Sequence, residues 1–271
     1  MTPTRSGPGV ARRPPLTLLV PAGFAVLFLL TPLVGVVTRA PWSSLVRRLT
    51  DPEVLQALGL SLLVSGWALL LSLLLGVPLA WLLARGTFRG RSLVRALVML
   101  PMVLPPTVAG VALFQGFGRR GVLSGPLEAV GVSLPFTTAA AVVAATFVSL
   151  PFLVISLEGA LVGVDPRYEE AAATMGAGPL RTFWSVTLPM VLPALLAGSV
   201  LCWARALGEF GATITFAGNL PGVTRTLPLE VFMLLQNDPA GATALSLLLL
   251  VLAGLVLFTL RGRWLGHHTR Q

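Results

Sequence analysis

Glu170-Ala171-Ala172-Ala173-Thr174-Met175-Gly176 opens the stretch that decides the reading. Val186-Thr187-Leu188-Pro189 closes it, and the chain then runs on to Gly198. The surrounding segment, 163–188, is polar and holds Asp165, Arg167, Glu169, Glu170 and Arg181. Its flanks differ sharply: windows 129–157 and 182–204 carry no charged residue. A membrane-spanning helix needs about 20 mostly apolar residues. The segment therefore reads as an aqueous elbow between two spans, open to a partner on that side.

Four more charge-free windows lie farther out, at 14–38, 54–84, 96–118 and 239–260. Hydrophobic residues make up 55% of the 271 and charged residues only 11%. A soluble domain carries about 25% charged residues, so this chain cannot cover a water-facing surface. The runs are too long and too uniformly apolar for the alternating strands of a membrane barrel. The expected fold is an all-α membrane protein with six transmembrane helices, about 16–37, 54–84, 94–114, 136–160, 190–216 and 241–260. They form one domain, 16–262, between a disordered N-terminus, 1–15, and a tail, 263–271.

All 19 basic residues are Arg. A net charge of +9 raises nucleic acid as a partner, but basic loops also fix membrane topology, and the bilayer is the partner expected here. With the N-terminus inside, Arg5, Arg12, Arg13, Arg85, Arg89, Arg91, Arg95, Arg167, Arg181, Arg261, Arg263 and Arg270 lie on the cytoplasmic side. Arg39, Arg47, Arg48, Arg119, Arg120 and Arg225 lie outside, and Arg205 lies within a helix. Both termini are then cytoplasmic, and the outer basic residues read as a funnel for an anion. The single Cys202 excludes an internal disulfide and reads as a packing residue. The first span follows a basic head but is longer than a signal-peptide core, so it reads as a retained anchor.

Asp51-Pro52-Glu53 and Asp165-Pro166 are helix starts. Pro101, Pro105 and Pro106 interrupt the third span, which must then face protein or a cavity. Within the elbow, Gly176 and Gly178 end a short helix, and a second one follows Pro179 with Leu180, Phe183 and Trp184 on one face, suited to the membrane surface. In the fifth span Arg205 and Glu209 stand four apart and can meet on one face. Charges at that depth either form a structural pair or line a pathway. Gly208, Gly211 and Ala212 allow close helix approach. Thr213 and Thr215 offer hydroxyls to an oxyanion, or to their own helix carbonyls.

Glu170-Ala171-Ala172, Gly176 and Leu188-Pro189, at their mutual spacing, resemble the cytoplasmic loop of ABC importer permeases. The resemblance implies that this loop is the coupling helix, with Glu170, Ala171, Ala172, Gly176, Leu188 and Pro189 at the junction with an ATPase subunit. The run Ala204-Arg205-Ala206-Leu207-Gly208-Glu209-Phe210-Gly211-Ala212-Thr213-Ile214-Thr215 through Asn219 is similar to the fifth-helix pattern of the oxyanion branch of these permeases. Arg205, Gly208, Glu209, Thr213, Thr215 and Asn219 are the pathway residues it suggests. Leu220 to Leu229 is closer to molybdate permeases than to sulfate ones, and Gly76 to Arg85 and Leu100 to Gly110 agree. The implied assembly is a homodimer of type I importer architecture, with two cytoplasmic ATPase subunits and a periplasmic or lipid-anchored oxyanion-binding protein. This chain would bind no cofactor; ATP and Mg would sit on the ATPase. Its cargo would be molybdate, with tungstate possible and sulfate or thiosulfate the alternative.

The absence of Lys points the same way, because a P-loop uses a Lys to reach the terminal phosphates. An ion-coupled carrier would carry acids at mid-membrane and inverted repeats; only Glu158 and Glu209 come near. A membrane enzyme lacks a metal cluster here, since the two histidines, His267 and His268, both lie in the tail.

Overall fold

The computed structural model describes residues 16–264; the expectations for 1–15 and for the end of the tail lie outside them. The described residues are helical, with no strand among them. In order they are α1 (Leu16–Thr38), α2 (Leu45–Leu49), α3 (Pro52–Arg85), α4 (Arg91–Val103), α5 (Pro106–Phe117), α6 (Ser124–Ala129) and α7 (Thr138–Gly163). Then come α8 (Arg167–Thr174), α9 (Pro179–Thr182), a π-helical turn (Phe183–Thr187), α10 (Leu188–Leu207), α11 (Gly211–Phe216), α12 (Leu227–Asn237) and α13 (Pro239–Trp264). Among the described residues five helices are long and apolar enough to cross a membrane: α1, α3, α7, the run from α9 through α10, and α13.

Capping chemistry sets the helix starts. Asp51 accepts a hydrogen bond from the Glu53 amide at 3.0 Å, with Pro52 in the first turn. Thr137 accepts from the Ala140 amide at 3.2 Å to open α7. The α7 helix runs unbroken through the buried Pro151.

Two expected spans are broken. The third is not one helix over 94–114 but two, α4 and α5, separated at Leu104-Pro105. Leu104 and Pro105 are extended, with ψ of 134° and 137°. The residue before a proline is pushed out of the helical region, and successive prolines have no amide to continue the ladder. The fifth expected span, 190–216, starts earlier, at Pro179, and stops at Leu207; Gly208 closes it and α11 resumes three residues on. A further helix, α12, lies between the fifth and sixth expected spans.

The core is built on α3, α7 and α10, with α5 packed on α11 and α12 on α13. In α7, 61% of the apolar window is buried, whereas none of the α1 window is. So α1 stands at the periphery. Small residues make the tight packing possible. Ala57, Ser61, Ser65, Ala68, Ser72, Gly76 and Ala80 form the buried edge of α3. A β-carbon on Gly76 would lie 3.2 Å from Leu153 and 3.3 Å from Val154. Arg85 meets Val164 at the end of the same contact, so α3 and α7 run parallel with a nearly constant offset. Gly198 of α10 comes closer still to Ser156, whose hydroxyl donates to the Ala194 carbonyl at 3.4 Å. Lipid gives apolar helices no hydrophobic reason to associate; close backbone approach through small residues supplies the packing attraction instead. Cys202 is a buried packing residue on α10.

Candidate functional site

The elbow forms the end of the bundle at which α3, α7 and α10 converge. Asp165 accepts from the Arg167 amide at 3.0 Å and starts α8, and Glu169 and Glu170 occupy its first turn, where carboxylates suit the positive end of the helix dipole. Gly176 ends α8 with φ of 83°. Its amide donates to Ala173 O at 2.9 Å and the Ala177 amide to Ala172 O at 3.0 Å. This is a Schellman motif, and its left-handed position is what calls for Gly.

Of the residues the sequence singles out here, Ala172 is buried against the bundle, while Glu170, Ala171 and Gly176 are exposed. Tyr168 and Met175, 57% and 83% exposed, join Ala171 on one outward stripe of α8. Leu188 and Pro189 lie apart from that stripe, at the foot of α10. Of the expected surface-lying face beyond Pro179, Leu180 and Trp184 are exposed, and Phe183 meets Trp184 edge-on at 5.6 Å.

The residue that fixes α8 is Glu169, not the neighbouring Glu170. Its Oε1 accepts from Arg85 Nη2 at 3.2 Å and from Thr187 Oγ1 at 2.9 Å. The same Arg85 nitrogen donates to Val164 O at 3.1 Å. Thr187 is buried, and the ion-paired side chains are only 16% and 21% exposed. One carboxylate thus ties the last residue of α3, the end of α7 and the start of α10 to α8. A second ion pair, Arg95 with the buried Glu158, binds α4 to α7.

The other charged constellation surrounds the break between α10 and α11. Arg205 Nη1 stands 2.7 Å from Glu209 Oε2. Glu209 Oε1 accepts from the Ala212 amide at 2.9 Å, so the buried carboxylate also caps α11. Arg205 remains 30% exposed. Both oxygens of Glu209 are engaged, so the carboxylate supports the interrupted helix. Thr215 donates its hydroxyl to Gly211 O at 2.9 Å, and Thr213 is fully buried. Asn219 Oδ1 accepts from Arg225 Nε at 3.0 Å, and Arg225 approaches the buried Glu230 at 3.4 Å. Of the expected outer funnel, Arg48 and Arg225 are therefore neutralised by Asp238 and Glu230.

The two helix breaks are adjacent. A β-carbon on Gly211 would collide with Pro106, and one on Gly110 would lie 2.5 Å from the Thr215 β-carbon. Gly208, exposed, caps α10. Non-helical backbone at membrane depth persists only where protein or water covers it, and each break covers the other. No single-chain signal would have found this pairing or the Glu169 clamp; the prolines and Gly208 marked the breaks alone.

Residues 76–271 match the family described as "Binding-protein-dependent transport system inner membrane component", and the chain belongs to that family. It is a multi-pass membrane subunit of a transport system. The chain is 49% identical over 257 residues to the "Molybdenum transport system permease protein ModB" of Mycobacterium tuberculosis, covering 94% of this chain and 97% of that one. To the protein of the same name from Escherichia coli it is 44% identical, over 82% and 97%. To the "Sulfate transport system permease protein CysT" of Salmonella typhimurium it is 37% identical, over 88% and 87%. Its fold matches that of a bacterial ABC transporter involved in the import of the acidic polysaccharide alginate, with a TM-score of 0.72 at 20% identity over 93% of this chain and 95% of that one.

Proposed function

We propose that this chain is the pore-forming permease of an ATP-driven importer of molybdate, working as a homodimer in the bacterial plasma membrane with both termini in the cytoplasm. Two ATPase subunits bind at the α8 end and carry the ATP and Mg; this chain binds neither. A periplasmic or lipid-anchored binding protein delivers the oxyanion at the opposite end. The observation that carries the reading is the extended identity with relatives named for molybdenum transport, higher than with the sulfate relative. The geometry supplies the means. An exposed stripe on α8 faces outward for the ATPase, with Glu170, Ala171 and Gly176 on that surface, while Glu169 transmits its displacement to α3, α7 and α10. Leu188 and Pro189 start the helix that carries Arg205 and ends just before Glu209. The paired breaks at Leu104-Pro105 and Gly208–Phe210, rather than free side chains of Thr213, Thr215 or Asn219, are then the place where the pathway opens. Alternating access follows if nucleotide binding favours one arrangement of these elements and hydrolysis the other.

The test is uptake of labelled molybdate into proteoliposomes holding the complete complex. ATP-dependent accumulation is expected, little affected by equimolar sulfate. Strong competition by sulfate would move the cargo to sulfate; accumulation by this chain without an ATPase would overturn the importer reading.

A further inference from the structure

The bundle end opposite α8 holds a hollow that the transport cycle above leaves unused. Phe114, Arg119, Arg120, Pro135 and Phe136 line it, and its volume is about 310 Å³. Phe136 is the only non-glycine residue with a positive φ, 64°, among the described residues. That conformation is unfavourable for an aromatic residue and persists only where the surroundings over-determine it. The strain does not serve burial, because Phe136 stays 51% exposed. It serves position. The Phe114 ring meets it edge-on at 6.4 Å, and Gly218, itself at φ 77°, lies so close that a β-carbon there would stand 2.9 Å from the Phe136 ring.

Arg119 and Arg120 beside it are exposed, and neither belongs to an ion pair among the described residues. Arg119 makes one long hydrogen bond, from Nε to Ser133 Oγ at 3.4 Å. Glu128, the carboxylate of this segment, borders the neighbouring hollow with Arg119 without pairing to it. Among the described residues four of the six outer arginines expected from the sequence form no ion pair, and two of them flank a conformationally constrained, exposed aromatic. Arginine and aromatic side chains dominate the energetics of protein interfaces. A ring already fixed in the free protein loses little further freedom on binding.

We propose that this hollow is the docking seat for an acidic, apolar-tipped projection of the oxyanion-binding protein. Arg119 and Arg120 take its carboxylates, and Phe136 takes its apolar tip. The assignment rests on the importer reading. Charge complementarity selects this occupant: a second copy of the chain seated two-fold would bring the same arginines together, and a free oxyanion has no use for the Phe114 and Phe136 walls. The seat also connects inward. Phe114 meets the fully buried Phe216 of α11 edge-on at 6.4 Å, so docking bears directly on the helix that follows the Glu209 break.

The experiment uses the complete complex, permease with its ATPase subunits in nanodiscs, titrated with the molybdate-loaded binding protein of the same transport system by surface plasmon resonance. The double variant Arg119→Glu/Arg120→Glu should weaken docking by about tenfold or more and lose most of its salt dependence, whereas Arg119→Lys/Arg120→Lys should stay within about threefold of wild type. Phe136→Ala should weaken docking about fivefold with the salt dependence kept. Docking of the charge-reversed complex within about twofold of wild type overturns the seat, as does a Phe136→Cys variant whose disulfides join two copies of this chain. A wild-type complex that assembles yet binds no such protein removes the importer reading itself, which separates the two failures.

Discussion

Replacing Glu169 with Ala should release α8 from the bundle without unfolding the spans. The carboxylate accepts from Arg85 at 3.2 Å and from Thr187 at 2.9 Å. Hydrogen bonds to a charged group contribute about 1.5–3 kcal/mol each when buried. The ion-paired side chains here are 16% and 21% exposed, so solvent screening reduces that value, and about 2 kcal/mol for both bonds together is a fair figure. Arg85 keeps its bond to Val164 O, but its Nε is already buried without a partner, so the loss falls on a side chain with little reserve. A change of about 2 kcal/mol raises the population of locally opened α8 roughly 30-fold. Hydrogen exchange followed by mass spectrometry on the 165–176 segment, with the complex in nanodiscs, reads that population. Exchange across α7 should stay as in wild type. Glu169→Gln keeps an acceptor for Thr187 and should show about a fivefold increase. Uptake should fall in both variants while ATP hydrolysis continues. If α8 exchanges within about twofold of wild type in the Ala variant, Glu169 is not what holds it, and the route from α8 to the spans runs elsewhere.

Gly176→Val meets open space, with no atom within 4 Å of a β-carbon, so its cost is the left-handed backbone alone, about 1–2 kcal/mol; the protein should insert normally but lose ATP-driven uptake, and unchanged uptake contradicts the assignment. Gly110→Ala forces a methyl group against Thr215 and Ala212 and should cost about 1–3 kcal/mol, visible as a lower melting temperature in detergent; a melting curve like that of wild type would mean that α5 and α11 part easily. The Asp238 carboxyl is held below the ordinary carboxylate range, first by the Gly241 amide and then by Arg48. A carboxyl lowered in the folded state contributes stability above its unfolded value and loses it as pH falls through the folded one. Asp238→Asn should therefore melt earlier than wild type at pH 7, with the gap closing in strong acid, and a gap that stays constant with pH would assign the effect to packing.

Most of the fold was legible because charge and lipid are incompatible. The charge-free window 54–84 lies within two residues of α3 at its start and one at its end. What the window could not show was continuity inside it. Pro101, Pro105 and Pro106 were visible, but whether a membrane helix bends or stops at proline depends on what covers the freed carbonyls, and here that cover is Gly211 from a segment a hundred residues later. Gly208 and Gly211 signalled close approach, which Gly211 makes against Pro106, but not that the helix stops between them. The elbow was legible as a motif, yet the choice between Glu169 and Glu170 was not. Adjacent residues on a helix point about 100° apart, and only the location of Arg85, 84 residues earlier, decides which of them turns inward. Arg225 likewise looked like a free outer cation until α12 brought Glu230 beside it.

The 34 residues of α3 make an unbroken rod about 51 Å long. Its foot is gripped at Arg85 by the α8 carboxylate, and its head begins at the Asp51 cap. A stiff lever of that length amplifies: a tilt of about 5° at the foot swings the head by about 4 Å. Small nudges at the α8 end are therefore carried to the opposite end as larger displacements, without any helix having to melt.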